Sequence, residues 1–120
     1  MREQRRFIRY EAKGEVILTV KNDASCQVNA ELADISFVGI GVLAEKKIEL
    51  DTQVNIKLTL ESFGETITAE GRIKYAQEIK KFNANVFRIG IEFTNIDKQA
   101  IQDILNYLQA NICLESRRKQ

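Results

Sequence analysis

Val54-Asn55-Ile56-Lys57-Leu58-Thr59-Leu60 alternates apolar and polar residues without a break. On an extended chain successive side chains point to opposite faces, so this period of two predicts a strand with one face in a core. The same alternation recurs outward in both directions. After the turn-like Ser62-Phe63-Gly64, Ile67, Ala69, Gly71, Ile73 and Tyr75 oppose Thr66, Thr68, Glu70, Arg72 and Lys74. Farther on, Phe87, Ile89, Ile91 and Phe93 point inward against Arg88, Gly90 and Glu92. Upstream, Cys26, Val28, Ala30 and Leu32 alternate with Gln27, Asn29 and Glu31, and Gly39 to Leu43 is a short apolar strand. Glu15 to Val20 is rich in β-branched residues and ends at the turn-forming Asn22-Asp23-Ala24-Ser25. Six strands with short connections predict a mainly β domain, an antiparallel barrel or sandwich, and not βαβ units.

The period then changes. Ile101, Ile104, Leu105, Leu108 and Ile112 recur at helical spacing, with Asn95 or Asp97 as candidate N-cap. The chain has no proline and shows no linker, repeat or low-complexity segment. At 120 residues it is expected to form one domain, large enough for a core without disulfides or metal. Its divisions are a basic N-terminal loop over 1–14, a β body over 15–96 and a C-terminal helix over 97–113.

Composition removes several classes of function. With no histidine, the hydrolase triads and His-containing zinc sites are out of reach. Cys26 and Cys113 are too far apart in sequence for a CxxC motif and read as reduced thiols. No metal site is expected, and with neither a convergent carboxylate pair nor a Walker-type loop the chain reads as a binding module, not an enzyme. Ser36 beside Asp34 lacks a base and is a poor nucleophile. The uncharged stretch Phe37 to Ala44 near the middle is too short to span a bilayer. The opening Met-Arg-Glu-Gln-Arg-Arg has no apolar signal region, so a cytoplasmic location without membrane insertion is expected.

The net charge of +1 hides an asymmetry. Arg2, Arg5, Arg6 and Arg9 face only Glu3 in the first ten residues, and Arg117, Arg118 and Lys119 end the chain. Two segments break the patterns around them: Arg5-Arg6-Phe7-Ile8-Arg9, an RxxxR arrangement, and Asp34-Ile35-Ser36-Phe37-Val38-Gly39, a DxSxxG arrangement. In extended chain Asp34 and Ser36 share a face while Ile35 turns to the core. Gly39 marks a place for positive φ or for close approach of a ligand. Arginine offers a planar fork that fits phosphate or the O6/N7 edge of guanine. A carboxylate accepts from guanine N1–H and N2–H, and a serine hydroxyl serves either partner. The two segments together read as a site for a guanine nucleotide with phosphates.

With both motifs in order, the chain resembles a PilZ domain, the bacterial receptor module for cyclic di-GMP. Gly71-Arg72-Ile73-Lys74-Tyr75 and Arg88-Ile89-Gly90-Ile91-Glu92-Phe93 are similar to the family's later strands, and the resemblance spans roughly residues 3 to 110. It implies a six-stranded antiparallel β-barrel with a C-terminal helix. It further implies that Arg5 and Arg9 hold phosphates and guanine edges, that Asp34 and Ser36 contact a guanine, and that Gly39 shapes the strand entry. Arg6 assists, although the family pattern does not require it. Cyclic di-GMP is the implied ligand, with no other cofactor. The implied mechanism is a basic loop, mobile without ligand, that closes on the barrel, repositions Phe7 and Ile8 and signals to a downstream protein partner. Motility, exopolysaccharide and biofilm control are the implied settings, with the protein a monomer or dimer.

The remaining charged and thiol residues have simpler expectations. Arg72 and Arg88 sit at outward strand positions suited to cross-strand pairing with Glu70 or Glu92. Cys26 is expected to pack as a small hydrophobe and Cys113 to be incidental. Two rival functions are open. One is a PilZ-type adaptor of pilus or motility assembly without ligand affinity, against which the intact motifs speak. The other is a small nucleic-acid-binding barrel, disfavoured because tryptophan is absent and most phenylalanines fall on inward positions.

Overall fold

A computed structural model describes the backbone of residues 7–81 and 84–118. Seven strands precede one helix: β1 (Tyr10–Glu11), β2 (Gly14–Val20), β3 (Asp23–Ile35), β4 (Gly39–Ala44), β5 (Gln53–Leu60), β6 (Thr66–Lys81), β7 (Ala84–Asn95) and α1 (Lys98–Arg118). Every strand pairing is antiparallel. The ladder runs β3-β2-β5-β6-β7-β4, and β4 pairs back to β3, closing a six-stranded barrel. Closure leaves none of the six as an open edge along the shared part of the sheet. The two-residue β1 pairs with the end of β3 on the same edge as β2, with Tyr10 opposite Ile35 and Glu11 opposite Asp34.

The inward residues fill the barrel. Leu18, Ile35, Ile40, Val42, Val54, Ile73 and Ile89 are completely buried, in agreement with the alternation in the sequence. At the mouth of the barrel α1 contributes Ile101, Ile104 and Leu105 to the same core. Asp97, and not Asn95, caps it: the carboxylate accepts from the Gln99 N–H at 3.0 Å. Tyr107 ties the helix down, donating its hydroxyl to the Ser62 carbonyl at 3.0 Å with its ring edge-on to Phe63. The helix continues to Arg118, past the expected end at 113.

Three expectations are corrected. Residue Tyr75 does not share the inward face of Ile73. A β-bulge between Ile73 and Tyr75 adds one residue, which turns the strand over, and Tyr75 lies outside at 39% exposure. Cys26 does not pack as a small hydrophobe. Residues 23–27 of β3 are all exposed, Cys26 among them. The sixth and seventh strands also run farther than the alternation indicated, to Lys81 and from Ala84.

Candidate functional site

The DxSxxG segment is where β3 hands over to β4. Asp34 is still in β3, opposite Gly41, and Ile35 is fully buried as its anchor. The chain then reverses: the Ser36 N–H donates to the Gly39 carbonyl at 2.9 Å. Ser36 is buried within this turn, its hydroxyl accepting from the Val38 N–H at 3.2 Å and lying 3.4 Å from the Gly39 carbonyl. The shared face expected for Asp34 and Ser36 is therefore absent, because the reversal ends the extended geometry after Ile35. Ser36 shapes the turn, and Asp34 alone reaches the outer surface. Gly39 has no positive φ; instead a Cβ there would stand 2.3 Å from the Ile91 carbonyl oxygen, so the close approach is made by β7.

Two arginines converge on Asp34. Arg9, from the segment before β1, donates to Oδ1 at 3.3 Å. Arg88, from the middle of β7, donates to Oδ2 at 2.5 Å. The Asp34 side chain is only 13% exposed, against 46% for Arg9 and 32% for Arg88. The Arg88 guanidinium is held above its ordinary pKa by the Asp34 hydrogen bond; partial burial opposes this and nearby Tyr75 adds to it. Arg72, by contrast, makes the expected cross-strand pair with Glu92 at 3.1 Å. Arg88 was expected to do likewise and does not.

Beside this cluster two glycines of the barrel wall lie buried under neighbouring side chains. One row of cross-strand neighbours reads Asp34, Gly41, Gly90, Tyr75 across β3, β4, β7 and β6. A Cβ at Gly41 would lie 2.7 Å from Asp34 Oδ1, and one at Gly90 only 2.1 Å from Tyr75 Cε2. The two glycines thus let a carboxylate and an aromatic ring lie down from either end onto one shallow floor. The arrangement can present hydrogen-bond acceptors to a base edge, guanidinium forks to phosphates and a ring face to a planar group. Two clefts, of about 710 and 750 Å³, open on other parts of the surface and include neither Asp34 nor Arg88.

Of the sequence candidates, Arg9, Asp34, Ser36 and Gly39 come together here, whereas Arg5 and Arg6 lie outside the described residues. From Phe7 onward the segment lies against the barrel. Phe7 stacks on Phe37 with ring centroids 5.8 Å apart, and the Ala12 N–H donates to the Ala33 carbonyl. Sequence reasoning missed Arg88 and Tyr75. The signal for Arg88 was its place opposite Leu43, two residue pairs from the glycine row and on the same face, but only the strand register reveals it. Among the described residues there is no group of three metal-ligating side chains, and no helix is long and apolar enough to cross a membrane.

A profile of the PilZ domain matches residues 3–110. The chain belongs to the PilZ domain family. Solved structures agree on the fold. The PilZ domain of YcgR from Escherichia coli, solved with c-di-GMP, superposes with a TM-score of 0.76 at 17% identity, over 95% of this chain and 98% of that one. YcgR from the same organism in complex with c-di-GMP gives 0.80 at 15% identity, over 98% of this chain and 51% of that one. MrkH of K. pneumonia in its apo state gives 0.74 at 22% identity, over 100% and 55%. This PilZ chain therefore spans about half the length of YcgR and MrkH in those two structures. No curated protein sequence matches it.

Proposed function

We propose that this PilZ domain is a cyclic di-GMP receptor that passes its bound state to a protein partner. The observation that carries the reading is the meeting of the two motif halves: Arg9 of RxxxR is ion-paired to Asp34 of DxSxxG, 25 residues away in sequence, beside a glycine floor. A guanine placed against the half-exposed Tyr75 ring finds the Asp34 carboxylate beside it for its N1–H and N2–H donors. Arg9, with Arg5 and Arg6 from the preceding arm, supplies forks for the phosphates. Ser36 and Gly39 hold the turn that aims Asp34. The c-di-GMP bound by the YcgR structures supports the same ligand class here.

The output follows from where Arg9 sits. Its single ion pair is half exposed and contributes little to the fold, so the stronger field of phosphates draws it off Asp34 and onto the ligand. Phe7, two residues away, stacks on Phe37, with Ile8 66% and Val38 40% exposed beside it. Movement of Arg9 repositions this apolar cluster, which is the surface a protein partner reads. Nothing in the site supplies a nucleophile with its base, so the role is binding.

Calorimetric titration with cyclic di-GMP, GTP and a short oligonucleotide tests the reading. Heat with cyclic di-GMP alone is the expected result. Binding of none of the three points to an adaptor without ligand, and binding of the oligonucleotide points to a nucleic-acid barrel. Hydrogen exchange over residues 1–12 is expected to slow on ligand addition; equal rates with and without ligand would refute the loop closure.

A further inference from the structure

Asp34 is claimed by two guanidiniums of unlike origin. Arg9 comes from the exposed arm through one contact at 3.3 Å. Arg88 is fixed in mid-strand, its backbone held between Leu43 of β4 and Gln77 of β7's other neighbour β6, and its chain neighbour Ile89 is completely buried. It also makes the shorter contact, on the other oxygen of the carboxylate. When phosphates compete for these two cations, the arm can move and the strand cannot. Neither sequence motif contains Arg88.

We infer that Arg88 is a positioning residue of the site: it fixes the plane of the Asp34 carboxylate from the barrel side, so that both oxygens stay aimed at a guanine edge after Arg9 has turned to phosphate. This rests on the guanine-dinucleotide reading above. A carboxylate has about four lone-pair directions, so a bond from Arg88 to Oδ2 leaves room for the parallel N1–H and N2–H donors of guanine. Without Arg88, the released carboxylate is free to rotate over Gly41, which has no side chain to hold it in one plane. The consequence is specific. Loss of Arg88 damages recognition of the base more than attraction of the phosphates.

The test uses the full chain, cyclic di-GMP, and its inosine analogue, which lacks the guanine N2 amino group. Wild type is expected to prefer cyclic di-GMP by roughly 10- to 100-fold, the worth of a hydrogen bond to a charged group. In Arg88→Gln the affinity for cyclic di-GMP falls by about tenfold or more, while the inosine analogue binds within about threefold of wild type, so the preference collapses. Arg88→Lys keeps the charge and restores part of the preference; it carries the test if Arg88→Gln melts below the assay temperature. An unchanged preference in both variants overturns the inference, as does an equal weakening of both ligands, which would make Arg88 a simple phosphate attractor. A wild-type protein that binds neither ligand overturns the dinucleotide reading itself.

Discussion

Replacing Gly90 by alanine tests whether the shallow floor beside Asp34 is held open by the absence of a side chain. A Cβ at this position would stand 2.1 Å from Cε2 of Tyr75 and 2.6 Å from Cδ2, well inside van der Waals contact. The three nearest atoms all belong to that one ring, so the tyrosine must swing away or the strands must part. Overpacking of this kind costs about 1–3 kcal/mol, against a gain of about 0.5–1 kcal/mol from removing a mid-strand glycine. The net expectation is a loss of about 1–2 kcal/mol, or roughly 4–8 °C in Tm for a domain of this size. Tyr75→Ala alone removes a ring that is 39% exposed and costs less than the ~3–5 kcal/mol of a fully buried aromatic. In that background the obstacle is gone, so adding Gly90→Ala becomes neutral or stabilising. A double-mutant cycle by urea denaturation therefore yields a coupling of about 1–3 kcal/mol. Equal cost of Gly90→Ala in both backgrounds would refute the reasoning and show that the glycine is required by the backbone.

Three further outcomes are expected. Arg9→Ala loses most cyclic di-GMP affinity by calorimetry while its melting temperature stays within about 4 °C of wild type, because a half-exposed ion pair contributes only about 0–1 kcal/mol. Ser36→Ala removes the hydroxyl that accepts from Val38 N–H, lowering stability by about 1 kcal/mol in urea, whereas a Ser36→Ala protein as stable as wild type would mean the turn stands on its backbone bond alone. Ile104→Ala, at a fully buried helix position over the barrel mouth, costs about 2–5 kcal/mol, and a smaller loss by thermal melt would show the helix to be dispensable for the core.

Most of the fold was legible because its strands are half-buried and antiparallel, the case in which burial imposes a period of two on the residues themselves. Val54 to Leu60 obeys that rule without exception, and so its strand is found where it was expected, with Val54, Ile56, Leu58 and Leu60 all inside. The rule breaks where the backbone inserts a residue. Nothing in Ile73-Lys74-Tyr75 announces the bulge, because Lys74 is an ordinary outward residue and Tyr75 is apolar enough for either face. One uncounted residue was sufficient to put Tyr75 on the wrong side. The exposure of Cys26 has a different cause: β3 extends past the part of the barrel that has an interior, and alternation in sequence does not report where the interior ends.

The candidate site divides along the same line. Arg9 and Asp34 were legible as chemistry, since a fork and a carboxylate are unusual at a strand entry, and their pairing at 3.3 Å joins two motifs that the sequence could only set side by side. Ser36 was legible as important but not as what it does, because a hydroxyl serves a ligand and a tight turn equally well until the backbone reverses. Arg88 was invisible for a stronger reason. Its partner lies 54 residues away, across β4, whose glycine at position 41 leaves nothing between them. A sequence reader pairs a strand arginine with an acid on the adjacent strand, and Glu70 of β6 was the choice on offer. What redirects Arg88 to Asp34 is an absence of side chains at Gly41 and Gly90, and an absence acquires meaning only when the register places those two glycines opposite each other. The glycine pair is thus one device with two effects: it lets the Asp34 carboxylate and the Tyr75 ring lie flat against the wall, and it lets a cation from β7 reach the carboxylate of β3.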